Sequence, residues 1–99
     1  MDIKKNTLVF SLSENTDFNK IDVDSDVRNF IADLTSVSSE TIKLVKDKFI
    51  TFEKNIKKMN GSFVIVSDIN FNNDLIIVPT IQEAYDYIEL EEIEKQLNI

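Results

Sequence analysis

The sequence predicts one α/β domain over residues 1–99, with a four-stranded mixed sheet, a central right-handed βαβ unit and a C-terminal amphipathic helix. Two observations predict this class. The chain contains two long segments with helical apolar periodicity and four short runs rich in β-forming residues. Its length leaves room for a single core. We expect strands over residues 7–13, 29–34, 62–67 and 75–78, and helices over residues 38–60 and 80–97.

The first two strands are short apolar runs. Residues 7–13 read Thr-Leu-Val-Phe-Ser-Leu-Ser, and residues 29–34 have the continuous apolar character of a strand buried on both faces. Residues 14–28 between them are polar and rich in Asp, which predicts a long connection whose order the sequence leaves open. The acidic residues 22–26 lack the glycine and the final glutamate of a calcium loop, so we expect a solvated loop there.

The first helix is the clearest element. Ser38 or Ser39 can cap its N-terminus. Gly61 is expected to adopt the left-handed backbone conformation that ends the helix at its C-terminus. Because residues 62–67 follow at once as a strand, the strand–helix–strand order predicts parallel pairing. Its apolar residues repeat with spacings of three and four and form one stripe over five turns: Ile42, Val45, Phe49, Phe52, Ile56 and Met59.

The second helix has two apolar stripes on opposite sides. A capping box of Thr80 and Glu83 opens it after Pro79. Either the helix breaks near Glu89, so that both stripes reach one core, or the second stripe binds another protein or a second copy as a homodimer. The sequence leaves both interpretations open. The first stripe is formed by Ile81, Ala84, Tyr85 and Ile88, and the second by Leu90, Ile93 and Leu97.

Composition excludes many kinds of site. The chain has no Cys, no His and one Gly, which excludes thiolate or imidazole metal ligands, Ser–His and Cys–His nucleophiles and glycine-rich phosphate loops. We therefore expect no catalytic residue, no metal and no cofactor. A net charge of −7 disfavours binding to nucleic acid and to anionic membranes. No apolar run is long enough to cross a membrane, so a cytoplasmic location is expected.

Polar residues connect the second strand to the first helix. Asp33 and Thr35 stand at the carboxyl end of a predicted parallel strand, where α/β sheets place ligand-binding residues. Ser38 and Ser39 stand at a helix N-terminus, which attracts anions. A bound phosphate or a phosphorylated serine would fit this segment. The alternative is that the hydroxyl groups only cap the turn and the helix.

Residues 29–37, the long helix and residues 61–66 together resemble the centre of a STAS domain, the sulfate-transporter and anti-sigma-factor-antagonist family. In that family a strand ending in Asp-Leu-Ser or Asp-Leu-Thr, here residues 33–35, precedes a helix and the next parallel strand. Residues 77–84 and 88–94 are similar to small STAS-like proteins of Bacteroidetes that are labelled by association with ribonuclease Z.

The resemblance implies a mixed sheet with helices, no catalysis, and a bacterial regulatory protein that acts by binding a partner. In anti-sigma antagonists a serine at the start of this helix accepts phosphate, and Ser38 or Ser39 matches it by position. We therefore expect a non-enzymatic protein-interaction module that uses this helix end and the Leu90–Leu97 stripe. The alternatives are a phosphorylatable serine switch, an acidic inhibitor or immunity-type protein that binds a basic partner, and a small enzyme.

Overall fold

The computed structural model describes residues 2–4, 7–11, 27–35, 37–72 and 74–97. Most of the predicted connection, residues 14–26, lies outside the described residues. None of the helices in the described part of the chain has the length and apolarity needed to span a membrane. The elements in chain order are β1 (Asp2–Lys4), β2 (Thr7–Ser11), β3 (Asn29–Asp33), α1 (Ser39–Lys58), β4 (Ser62–Val66), β5 (Ile77–Val78) and α2 (Ile81–Leu97).

The strands lie in the sheet in chain order, β1-β2-β3-β4-β5. β2, β3, β4 and β5 are all parallel, so the mixed pairing expected among the four predicted strands is wrong. The antiparallel edge is β1, a short strand beside β2 that is not among the four predicted strands. Parallel neighbours need a long connection, and the 20-residue helix between β3 and β4 supplies one.

The two helices pack on opposite faces of the sheet. Successive side chains of a strand alternate between the faces, so Phe30 and Phe63 point toward α1, whereas Ile31 and Val64 point toward α2. Phe52 of α1 stacks edge-on against Phe30 and Phe63, with ring centroids 5.3 and 5.1 Å apart. Burial on both faces explains why β3 and β4 have no polar–apolar alternation in their sequence.

The C-terminus of α1 differs from the prediction that Gly61 is its left-handed residue. The residue with positive φ is Asn60, at 61°, and Gly61 does not have a positive φ. Asn60 N–H donates to the Lys57 carbonyl and Gly61 N–H to the Ile56 carbonyl, both at 3.0 Å, which is a Schellman motif with asparagine in the left-handed position. Gly61 is needed for space, because a Cβ there would collide with the backbone carbonyl of Arg28.

Candidate interaction surface on the second helix

α2 is continuous from Ile81 to Leu97, so the structure contradicts a break near Glu89. The Thr80 hydroxyl accepts a hydrogen bond from the Glu83 amide at 3.1 Å, as the capping box predicts. In the first half of the helix, Ala84 and Ile88 are buried against the apolar α2 face of the sheet. This half follows the ordinary rule that the apolar side of a surface helix faces the core.

The second half of α2 has the reverse arrangement. Glu92 and Lys95 follow Ile88 on the side that faces the rest of the domain, where both make hydrogen bonds. On the outward side, Leu90, Ile93 and Leu97 are 61%, 47% and 78% exposed. Since the apolar side changes between the two halves, the helix as a whole is not amphipathic, contrary to the expectation.

Asn29 explains why polar residues of α2 can face the sheet. Its side chain is almost fully buried, with 1% exposure, at the start of β3. Its amide nitrogen donates to Glu92 Oε1 at 2.9 Å, and its amide oxygen accepts from the Ser62 backbone N–H at 3.0 Å. One side chain thus joins the beginnings of two strands to the second half of α2. Lys95 adds a second attachment by donating to the Asn60 carbonyl at 2.9 Å.

The amino-terminal edge of the sheet is polar on the α2 face. Thr7, Asn29 and Ser62 are aligned in register on three neighbouring strands, and all three are buried. The Ser62 hydroxyl has no hydrogen-bond partner in the part of the chain that the structure describes. The next aligned row, Val9, Ile31 and Val64, is apolar. The inward residues of α2 change from apolar to polar where the sheet beneath them does.

A cleft of about 280 Å³ opens beside α2 at this polar edge. Three of its lining residues are acidic, and none is basic. The described residues contain no cluster of three side chains able to hold a metal ion. Asn29, the most deeply buried polar group of the lining, already bonds within the chain. The lining residues are Thr7, Asn29, Gln82, Tyr85, Asp86, Ile88, Glu89 and Glu92.

Acidic residues dominate the electrostatics of α2. The helix carries six acidic residues and one lysine. Burial, followed by the negative charge and the hydrogen bond of Glu91, raises the pKa of Tyr87 above its ordinary value. Both effects disfavour the phenolate, because it would place another negative charge in a partly desolvated and already negative environment.

The strand-end residues Asp33 and Thr35 form a local turn. Asp33 Oδ1 accepts hydrogen bonds from the Thr35 backbone N–H at 3.0 Å and from its hydroxyl at 2.8 Å. This turn lies at the carboxyl edge of the parallel strands, whereas the cleft lies at their amino edge. The two predicted residues therefore contact each other, but they do not contribute to the cleft.

Ser38 is the N-cap of α1, and Ser39 is the first residue of the helix. The Ser38 hydroxyl accepts from the Thr41 backbone N–H at 3.3 Å and is 3.0 Å from the Thr41 hydroxyl. Both serines are exposed. The capping interpretation of Ser38 is confirmed, and the phosphoacceptor role of either serine stays a prediction.

The sequence predicts the outward stripe of α2 but not the role of Asn29, which is the main attachment of the second half of α2 to the sheet. A signal for Asn29 was present, since it is a polar residue in a run that reads as a fully buried strand. Such a residue must find hydrogen-bond partners. The sequence does not show that one of these partners is Glu92, 63 residues further along the chain.

Comparison with family models, with curated proteins and with solved structures found no match. The resemblance to STAS domains therefore stays a prediction from the sequence.

Proposed function

We propose that the protein is a non-enzymatic protein-interaction module. Its docking surface is the α2 outer face, which we define as Leu90, Ile93 and Leu97 with the acidic residues Asp86, Glu89 and Glu94 around them. The proposal includes the regulatory role that the resemblance to anti-sigma antagonists implies, in the cytoplasm of a bacterial cell.

The reversed second half of α2 is the observation that carries the proposal. Fully burying a Leu or Ile side chain is worth about 1.5–3 kcal/mol, and here three such residues lie outward while polar residues occupy the inner side. The fold gains little from apolar residues in these outward positions. A partner that covers these side chains would bury them, and the free energy of that burial would favour binding.

The charge around the stripe indicates the chemistry of the partner. Asp86 precedes Leu90 by four residues, and Glu89 precedes Ile93 by four, so each carboxylate neighbours an apolar side chain of the stripe on the helix surface. The complementary surface is apolar and bordered by Lys or Arg. Opposite charges at the border accelerate association and reject acidic competitors.

The chemistry of the chain supports a binding role over an enzymatic one. The sequence has no His and no Cys, which are the commonest acid–base and thiol nucleophile groups of enzymes. The strand-end carboxylate of Asp33, which an enzymatic interpretation would use, is engaged by Thr35 in a local turn.

Site-specific photo-crosslinking tests the proposal. A benzophenone amino acid replaces Ile93, and in a matched control it replaces Ile69, which has nearly the same exposure (45% against 47%) but lies outside α2. Illumination in cells is expected to give adducts of defined mass from position 93 that are absent from position 69. The proposal is wrong if position 93 gives no adducts, or only those that position 69 gives.

A further inference from the structure

The two helices carry opposite net charge. α1 contains six lysines and three acidic residues, a net charge of +3, whereas α2 contains six acidic residues and one lysine, a net charge of −5. One acid of α1, Glu53, is buried and paired with Lys57 at 3.4 Å. All six lysines of α1 are exposed, as are four of the acids of α2: Glu83, Asp86, Glu89 and Glu94.

These charges lie on opposite sides of the molecule, because α1 and α2 cover opposite faces of the sheet. Each helix also carries exposed apolar surface among its charges. On α1 this is Leu44, which is 80% exposed, next to Lys43 and one helical turn before Lys48. We define the α1 outer face as Leu44 with Lys43, Lys48 and Lys54.

We propose that the α2 outer face of one copy docks on the α1 outer face of a second copy of this chain. This inference rests on the proposed function and identifies the partner. The α1 outer face has the required chemistry, an apolar residue bordered by lysines. The helices also match in length, about 30 Å for the 20 residues of α1 and about 26 Å for the 17 residues of α2.

Charge decides between the possible self-contacts. Packing α2 against α2 of a second copy would place carboxylates opposite carboxylates, whereas packing it against α1 places them opposite lysines. The α1–α2 contact joins two different surfaces on opposite faces of the sheet, so a bound pair keeps one free surface of each kind, one on each copy. Such a heterologous contact continues beyond a dimer into an open chain or a ring.

A charge-exchange experiment tests this contact. One variant carries Lys43→Glu and Lys54→Glu, and the other carries Asp86→Lys and Glu94→Lys; all four positions are exposed. The solution mass is measured by light scattering from about 5 to about 500 μM protein, at about 20 mM and about 500 mM salt, since the higher salt screens charges beyond a few ångströms.

The wild-type mass is expected to rise with concentration beyond twice 11.4 kDa at low salt, and to return to 11.4 kDa at high salt. Each variant alone is expected to remain monomeric, because its two outer faces then carry the same sign: −1 on α1 and −3 on α2 in the first variant, and +3 on α1 and +1 on α2 in the second. An equimolar mixture of the two variants restores opposite signs at every contact and is expected to assemble.

The control variant carries Asp68→Lys and Asp74→Lys, two exposed acids outside α2. It changes the net charge as much as the α2 variant does, and it is expected to assemble like the wild type. The inference is overturned if the wild type stays at 11.4 kDa throughout at low salt, or if either charge-exchanged variant assembles alone. A monomeric wild type that crosslinks from position 93 to a different protein would remove this inference and leave the proposed function.

Discussion

At Gly61 the chain passes so close to Arg28 that no side chain fits. We predict that Gly61→Ala lowers the free energy of unfolding by about 3 kcal/mol or more, because the backbone of Arg28 must move. Asn60→Ala, at the neighbouring left-handed position, is expected to cost only about 1–2 kcal/mol. Urea denaturation measures both, and a smaller loss for Gly61→Ala than for Asn60→Ala would contradict the account.

Ser38 and Ser39 are adjacent and exposed, but only Ser38 caps α1. Ser38→Ala is expected to lower the free energy of unfolding by about 1 kcal/mol, because the Thr41 N–H loses its acceptor. Ser39→Ala serves as the matched control, with an expected change within about 0.5 kcal/mol. Equal effects of the two substitutions in chemical denaturation would show that the cap does not stabilise the helix.

Tyr87 titrates above its ordinary pKa because burial and Glu91 disfavour the phenolate. Because the pKa of Tyr87 is higher in the folded state than in the unfolded state, the neutral phenol contributes to the stability of the fold. This contribution is complete below about pH 10, the unfolded pKa, and is lost as the pH rises through the folded pKa. Absorbance titration of phenolate in a Tyr85→Phe variant isolates Tyr87. We expect Glu91→Gln to lower the pKa of Tyr87, and an unchanged midpoint would exclude Glu91 as a cause.

At the scale of the elements, the second half of α2 is attached to the sheet mainly by polar contacts. Asn29→Ala removes the donor to Glu92 and leaves the buried Ser62 N–H without its acceptor, for an expected cost of about 1–3 kcal/mol. Amide hydrogen exchange should accelerate in residues 89–97 more than in residues 81–88, which keep their apolar contacts.

The control for this prediction is Gln82→Ala, which removes an exposed hydrogen bond to Asp86 within the same helix. We expect it to leave exchange in residues 89–97 unchanged. Uniform acceleration along α2 in Asn29→Ala would contradict the division of the helix into two differently attached halves.

Elements with a strong local signal were predictable. The sequence predicts α1 because the apolar spacing extends over the whole helix, and it predicts β4 because five consecutive residues are apolar or small. The sequence does not predict β1, since three residues carry no periodicity and the strand depends on pairing with β2. The prediction for Gly61 is wrong for a related reason: its close approach to Arg28 joins residues 33 positions apart in the sequence, and no local pattern indicates such a contact.

The candidate surface was predictable in part. Helical spacing alone places Leu90, Ile93 and Leu97 on one side of α2, opposite to Ile88. Spacing cannot show whether a helix bends to bury both stripes, because that depends on whether the side chains of the sheet beneath it are apolar or polar. The polar row of Thr7, Asn29 and Ser62 explains the outcome: it accommodates Glu92, and an apolar residue there would face buried polar groups.

At the scale of the whole molecule, the two halves of α2 have different roles in the fold. The first half of α2 completes the core, and the second half holds an apolar stripe outside it. The sheet lies between a basic helix and an acidic helix, so the two sides of the domain differ in charge. We therefore expect Leu90 and Ile93 to contribute to binding and not to folding.

The free energy of unfolding of the double variant Leu90→Asn with Ile93→Asn tests this expectation. It is measured at low protein concentration and high salt, so that self-association does not contribute. We predict a change of no more than about 1 kcal/mol, because both side chains already contact solvent. A loss of about 4 kcal/mol or more would show that these residues belong to the core and would contradict the account.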